Sequence, residues 1–172
     1  MVAPGKDCII FVSNEIGTVQ PIKEIAKTIR RIKKQYPALS IIFHIDATQA
    51  PLYQNLCVDK LGIDLMTLGA TKLYTHRGVG VLYKKRSIRL APLLLGGGQE
   101  KGIRPGTESV FLIHHFAHAL AYAQAHHREE TEKVKALQTY FEENLLQKVP
   151  GVTVTAQNKV RTPHISHVAV PH

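Results

Sequence analysis

The sequence predicts an α/β fold with a mainly parallel sheet, because short apolar runs alternate with helical patterns along most of its 172 residues. A hydrophobic content of 44% is enough for one cored domain and part of a second. No apolar run approaches the roughly 20 residues that cross a bilayer, and Met1–Val12 lacks the pattern of a secretory signal. We therefore expect a soluble, cytoplasmic chain with no membrane partner.

Four apolar runs predict the strands of the sheet, and an amphipathic helix separates the first two. The helix is predicted over Lys23–Lys34, where isoleucines recur at three- and four-residue steps and Pro21 suits the first turn. The predicted strands are Cys8–Val12, Ser40–Asp46, Ile63–Gly69 and Val79–Tyr83.

The last third of the chain has helical patterns and then strand-like runs. Two helices are predicted, over about 110–127 and about 129–148. After a break at Pro150 and Gly151, the runs at 152–156 and 164–170 are typical of strands.

The formal net charge of +9 raises the question of an anionic partner. Its densest cluster lies on the basic face of the Lys23–Lys34 helix, which we interpret as a solvated surface, with an anionic partner as the alternative. No helix-turn-helix, zinc-finger or RNA-binding aromatic motif accompanies this face. Nucleic acid is therefore not expected as a partner.

The cysteines and histidines give no sign of a metal site. Cys8 and Cys57 lie in apolar surroundings, which predicts buried, reduced thiols. His115 and His118 are three residues apart on one helical pattern, but no carboxylate or cysteine is placed to complete a recognisable set of ligands. No metal is expected.

Polar side chains follow the first three predicted strands. Asn14 comes after the first, Asp46 and Gln49 at the end of the second, and Lys72 after the third. Ligands of open α/β sheets collect at the carboxyl ends of the strands. A carboxylate, an amide and an amine suit pyridoxal 5′-phosphate, whose ring nitrogen pairs with an acid and whose aldehyde bonds a lysine. An ion pair, or two unrelated loop charges, would explain Asp46 and Lys72 equally well from spacing alone.

Four motifs come in the order and spacing of a known family. They are NEIGTVQPIKEIAKTIR, FHIDATQA, the lysine loop ending in GVGVLY, and GGGQEKGIRPGTES. With them the chain resembles cysteine desulfurases and the related selenocysteine lyases, which are pyridoxal-phosphate enzymes of the class V aminotransferase type. The resemblance implies an aspartate aminotransferase-like fold. Residues 1–128 would be the central part of the cofactor-binding large domain, and residues 129–172 the beginning of a small α+β C-terminal domain.

The resemblance also implies a role for each matched residue. Lys72 matches the lysine that bonds to the cofactor and later moves the substrate's α-proton. Asp46 matches the acid on the ring nitrogen, Gln49 the amide on the phenolic oxygen, and Asn14 another polar neighbour of the ring. Thr107 matches a residue that reaches the cofactor phosphate of a partner subunit, which implies a homodimer.

This chain departs from the family pattern around the lysine. Gly69, Ala70 and Thr71 stand where the family has Ser-Gly-His, so a serine hydroxyl and an imidazole that help to hold the phosphate are replaced, and only the Thr71 hydroxyl is offered. Each such charge-assisted hydrogen bond is worth on the order of 1.5–3 kcal/mol. We therefore expect weakened phosphate binding.

The activity implied by the resemblance is conversion of L-cysteine, or selenocysteine in the lyases, to L-alanine. Sulfur leaves as a persulfide for iron-sulfur cluster assembly or tRNA thiolation, through a sulfur-acceptor or scaffold protein. The match ends at His172, before the family's loop with the catalytic cysteine, and neither Cys8 nor Cys57 matches that residue. The alternative is a non-catalytic module that pairs with a full-length desulfurase.

Overall fold

In the computed structural model, which describes residues 6–171, a four-stranded sheet forms the centre of the molecule. Its strands are adjacent in chain order, β1-β2-β3-β4. Strands β1 and β2 and strands β2 and β3 pair in parallel, whereas β4 runs antiparallel to β3. The predicted α/β class with a mainly parallel sheet is therefore confirmed. The bounds are β1 Lys6–Ile10, β2 Ile42–Asp46, β3 Leu65–Gly69 and β4 Gly80–Lys84.

Two helices accompany the parallel strands. Helix α1 spans Ile22–Gln35, directly after Pro21, and buries Ile22 and Ala26. The short helix α2, Val58–Leu61, ends at Gly62, whose left-handed backbone (φ 72°) suits a residue without a side chain. The main core contains the alternate residues of β2 and β3 that face one side, namely Phe43, Ile45, Met66 and Leu68.

The third helix corrects the prediction of two separate helices. Helix α3 is continuous over Val110–Lys148, a length of 39 residues. Neither glycine nor proline occurs in that range, so nothing in the sequence ends the helix near residue 128. The proposed domain boundary at 128/129 falls inside α3 and stays a prediction. Within residues 6–171, none of the helices has both the length and the apolar character needed to cross a membrane.

The last two strands are shorter than predicted because the residues between them bond elsewhere. Strand β5 is Thr153–Val154 and β6 is Val168–Ala169, paired antiparallel. Between them, residues 160–166, here called the 160–166 segment, run along the turn that follows β1. Its contacts there are Val19 N to Val160 O at 2.9 Å and Thr162 N to Gly17 O at 2.8 Å.

The prediction that both cysteines are buried is wrong. Cys8 is exposed on β1, which has no strand on its outer side among the described residues. Cys57 is exposed at the start of α2, where its N–H donates to Asn55 Oδ1 at 2.9 Å. Ile10, close to Cys8, is itself exposed, whereas Leu56 beside Cys57 is buried, so the apolar residues around each cysteine in sequence did not report the exposure of its thiol.

Candidate functional site

A cavity of about 340 Å³ lies at the carboxyl ends of the parallel strands. Four of the six residues singled out in the sequence line it, although they follow three different strands: Asn14, Gln49, Thr71 and Lys72. The volume is within the usual range of small-molecule sites. The other lining residues are Leu52, Tyr74, His164 and Ile165.

Lys72 reaches the cavity from a single 3-10 turn, Ala70–Lys72, that begins where β3 ends. Buried Ala70 begins the turn and buried Leu73 follows it, and Leu73 N donates to Ala70 O at 2.9 Å. The chain then reverses at Tyr74, whose φ of 54° is a strained, left-handed backbone for a residue other than glycine. Anchoring on both sides leaves the exposed side chain of Lys72 facing the cavity.

Asp46 ends β2 and is fixed by the turn that follows. Its Oδ1 accepts a hydrogen bond from Thr48 N at 2.9 Å and another from Thr48 Oγ1 at 2.6 Å. Neither of these two bonds involves Oδ2. The second oxygen of the carboxylate can therefore accept a hydrogen bond from another donor. Asp46 does not line the cavity itself. Near it, burial lowers the pKa of His44, while the negative charge of Asp46 acts in the opposite direction.

Gln49 and Asn14 are placed by tight turns. Ala47 and Ala50, both fully buried, bracket Gln49, and Ala50 N donates to Ala47 O at 3.0 Å. Asn14 lies in the turn after β1, in which Ser13 Oγ accepts from the N–H groups of the next residues. Both residues are therefore placed by turns of the backbone at the edge of the sheet.

The structure does not bring Thr107 to this cavity. Thr107 is exposed between the 3-10 helix Gln99–Gly102 and the start of α3. The preceding Gly106 has a φ of 103°, and its N–H donates to Gln99 Oε1 at 3.2 Å. Of the six predicted site residues, four line the cavity, Asp46 ends β2 just before the turn that carries Gln49, and Thr107 stands outside.

His164 is a lining residue that the sequence analysis missed. Its ring stacks on Tyr53, with centroids 4.5 Å apart and planes 21° apart, and its Nδ1 is 2.9 Å from Thr162 Oγ1. Burial lowers the pKa of His164, and the nearby positive charge of Lys72 lowers it further. The pattern of 164–170 predicted a strand, so nothing in the sequence indicated that this histidine would lie in the cavity.

The 160–166 segment that carries His164 is held by buried polar groups of α3. Arg161 donates two hydrogen bonds to the Glu142 carboxylate, at 2.9 and 2.7 Å, and Ser166 Oγ donates to the same carboxylate at 2.6 Å. Gln138 Nε2 donates to Ile165 O at 2.8 Å. The hydrogen bonds from Arg161 lower the pKa of Glu142 in spite of its burial. This network ties the second half of α3 to the cavity wall.

A second cavity, of about 550 Å³, lies on the other side of Tyr74 and includes residues of the loop after the lysine. His76 and His115 meet edge to face there, with ring centroids 4.9 Å apart. Among the residues that the structure describes, no group of three or more His, Cys, Asp or Glu side chains is arranged to hold a metal ion. The other lining residues are Tyr74, Thr75 and Arg77.

Comparison with known proteins agrees with this architecture. The family model for aminotransferase class-V matches residues 8–172. A NifS-like protein from Rickettsia africae superimposes with a TM-score of 0.86 at 32% identity, over 96% of this chain and 44% of that one. The structure of SspA in complex with cysteine superimposes with a TM-score of 0.69 at 30% identity, over 94% of this chain and 43% of that one.

The sheet with its strand-end lysine is thus that of a class V aminotransferase-type protein, and the chain belongs to the aminotransferase class-V family. Within the family it is similar to cysteine desulfurase IscS of Dictyoglomus turgidum, with 35% identity over 91% of this chain. It is similar also to a cysteine desulfurase of a Nostoc species, with 36% identity over 93% of this chain. The chain spans 38% of the length of each of these two relatives.

Proposed function

We propose that this chain is the lysine-bearing part of a pyridoxal-phosphate-dependent cysteine desulfurase. The whole protein would convert L-cysteine to L-alanine in the cytoplasm and pass the sulfur, as a persulfide, to an acceptor or scaffold protein. Iron-sulfur cluster assembly or tRNA thiolation would use that sulfur. The observation that carries the proposal is that Lys72 shares one cavity with the amides of Asn14 and Gln49.

The residues at the strand ends fit the proposed cofactor. A pyridoxal ring requires an acid at its nitrogen, donors at its phenolic oxygen and an amine at its aldehyde. Asp46 has an oxygen free of the bonds from Thr48, Gln49 has an amide on the cavity wall, and Lys72 has its amine there. When bound, the cofactor supplies an electron sink for the carbon next to the substrate's amino group.

The side chains of this chain would divide the work between them. The carboxylate of Asp46 would keep a proton on the ring nitrogen through charge pairing. The amides of Asn14 and Gln49 would orient the ring by hydrogen bonds, and Thr71 would donate its hydroxyl to the phosphate. The amine of Lys72, placed by its anchored turn, would bind the cofactor and carry the substrate's α-proton.

A homodimer is part of the proposal because Thr107 lies outside the cavity of its own chain. In the chain before and after it, large apolar side chains are in contact with solvent. Leu93 is 98% exposed and Leu95 is 89% exposed, and Val110 and Phe111 at the start of α3 are also exposed. Apolar surface of this kind marks interaction sites. A second copy that covers it would bring Thr107 to the partner's cofactor phosphate.

Two other functions compete with this proposal. A selenocysteine lyase would use the same strand-end residues on a heavier substrate. A non-catalytic module that pairs with a full-length desulfurase is favoured by Gly69 and Thr71, which replace the family's serine and histidine near the phosphate. Weak cofactor binding by the chain on its own would support that module.

The direct test is to add pyridoxal phosphate, record the visible absorbance, reduce with borohydride and map the labelled peptide. We expect a label concentrated on Lys72, absent in Lys72→Ala, and unchanged in Lys60→Ala, which removes an exposed lysine of α2 outside the cavity. A label spread over many lysines, with Lys72 not favoured, would refute the proposal.

A further inference from the structure

His164 has the setting of a positioned acid-base group. Its Nδ1 is occupied by Thr162 Oγ1 at 2.9 Å, and Thr162 is fully buried, so the partner is fixed. The ring lies flat on Tyr53. An imidazole held at one nitrogen and stacked on one face has its other nitrogen, Nε2, left for the cavity that His164 lines.

Among the described residues that line the cavity with His164, Lys72 is the one with a charged side chain. Tyr53 lies under the ring, and Tyr74 and Lys72 share the cavity wall. Burial raises the pKa of Tyr53, and Tyr74 and then Glu130 raise it further, so the Tyr53 phenol stays uncharged at neutral pH. Because burial and then the Lys72 charge lower the pKa of His164, its imidazole is neutral and able to accept a proton.

We propose that His164 is the acid-base partner of Lys72 and exchanges protons with its amine across the cavity. The proposal deepens the proposed function, and it rests on that function for its purpose, since a lysine that carries protons needs a group to receive them. The proton transfer itself needs only two side chains of this chain, so it can be tested without the cofactor or the substrate.

The proton transfer has a simple balance. A Lys72 Nζ–H bond breaks and a His164 Nε2–H bond forms, which leaves a neutral amine with its lone pair and an imidazolium. The imidazolium then gives its proton to water, or returns it to Nζ. Because burial and the charge of Lys72 lower the pKa of His164, the imidazolium gives up its proton readily. His164 is therefore a transient carrier of the proton and not a store.

The first test measures the reactivity of the Lys72 amine with formaldehyde and a borane reductant, by site-resolved mass spectrometry between pH 5.5 and 9, with Lys60 as the internal reference. We expect His164→Gln to slow methylation of Lys72 about tenfold near neutral pH, which is less than the usual 10²–10⁴-fold general acid-base effect because water also reaches the cavity. Added imidazole should restore the rate in His164→Ala. Identical rates and pH profiles in His164→Gln and the unmutated chain would overturn the proposal.

The matched control is His167→Gln. His167 belongs to the same stretch of chain and has the same kind of contact, Nδ1 to Thr155 Oγ1 at 2.8 Å, but it is exposed and does not line the cavity. We expect His167→Gln to leave methylation of Lys72 unchanged. An equal loss of rate in both variants would mean that the effect is structural, and would overturn the proposal.

The second test is an NMR titration of the histidines in the protein and in Lys72→Met. We expect the pKa of His164 to rise when the lysine charge is removed, and that of His167 to stay the same. An unchanged His164 would contradict the proposal. Neither test uses pyridoxal phosphate, so a failure of the cofactor to label Lys72 would count against the proposed function alone.

Discussion

The strand ends that surround Lys72 and the glycine-rich loop 96–107 differ in how the chain supports them. At the strand ends, Asp46, Gln49 and Thr71 each stand beside a fully buried alanine, namely Ala47, Ala50 and Ala70. In the loop, consecutive Glu100 and Lys101 both have left-handed backbones, with φ of 48° and 58°, and both are exposed. Such conformations are costly for residues other than glycine unless the surroundings hold them.

The two halves of the proposed site are therefore held in place by different means. The sheet itself forms the half that would hold the ring and the amine, since its turns are fixed by backbone bonds and small buried residues. The other half is the glycine-rich loop, which would hold a phosphate across a dimer. The described part of this chain packs little against that loop. Changes at the strand ends should therefore affect the fold, and changes in the loop should affect association.

The largest expected effect comes from the network behind the cavity. Glu142→Ala leaves Arg161, whose side chain is only 3% exposed, without its carboxylate. Removal of one partner of a buried ion pair costs about 3–5 kcal/mol, so we expect the free energy of unfolding in urea to fall by that amount. Glu129→Ala, which breaks an exposed pair with Lys133, is the control and should have almost no effect. Equal effects of the two variants would contradict this account.

A smaller effect is expected when the volume of a side chain is increased. One such substitution in each half of the proposed site compares the two halves directly. Ala70→Val inserts two methyl groups at a position with 0% exposure beneath the Lys72 turn, which should cost about 1–3 kcal/mol. Gly98→Ala in the loop places a methyl group in open space at a φ of −79° and should cost nothing. Urea denaturation of both variants checks the contrast, and a destabilised Gly98→Ala would show that the loop is packed after all.

Replacement of a glycine that has a left-handed backbone should lower the stability by a similar or smaller amount. Gly17 has a φ of 73°, and an added Cβ would lie 3.0 Å from Ile165 Cβ. We expect Gly17→Ala to cost about 1–2 kcal/mol and to displace the 160–166 segment from the turn after β1. Hydrogen exchange at the amide of Thr162, which donates to Gly17 O, should rise in the variant. Unchanged protection of that amide would refute the placement of the segment.

The dependence on pH should be gradual. The pKa values of His44 and His164 are lowered in the folded chain, so the unfolded chain binds more protons below about pH 6.5, and stability falls as the pH drops through that value. The lowered pKa of Glu142 extends the loss below about pH 4.5. Urea midpoints at pH 7.5 and 5.5 should differ less in His164→Gln than in His167→Gln. The opposite order would show that the predicted direction of the pH dependence is wrong.

The smallest effect on the isolated chain should come from the apolar loop. Leu93→Ser and Leu95→Ser change side chains that are almost fully exposed, so the unfolding free energy should move by no more than about 0.5 kcal/mol. If a second copy covers this surface, the same variants should shift sedimentation toward the monomer. Sedimentation that is identical in the variant and the unmutated chain would count against the homodimer.

Much of the sheet and of its edge could be predicted from sequence because both follow local rules. Short apolar runs predicted β2 and β3, and polar residues at the strand ends led to Asn14, Gln49 and Lys72. Lys72 lies where the strand-end rule for α/β sheets places a ligand group.

The remaining features depend on contacts between distant parts of the chain. His164 reaches the cavity because Gln138 and Glu142 on α3 hold its segment, and no local pattern reports such contacts. The exposure of Cys8 depends on which strands flank β1. The continuity of α3 could have been expected from its lack of glycine and proline, but two separate helical patterns were predicted on either side of residue 128.

The most direct test of the central claim, that the strand ends form a cofactor site around Lys72, is the distribution of reduced pyridoxal phosphate among the lysines of three chains. The account predicts that the label is concentrated on Lys72 in the unmutated chain and in Asp59→Asn, which changes an exposed acid of α2. It predicts that Asp46→Asn loses this concentration. The same distribution in all three chains would contradict the account.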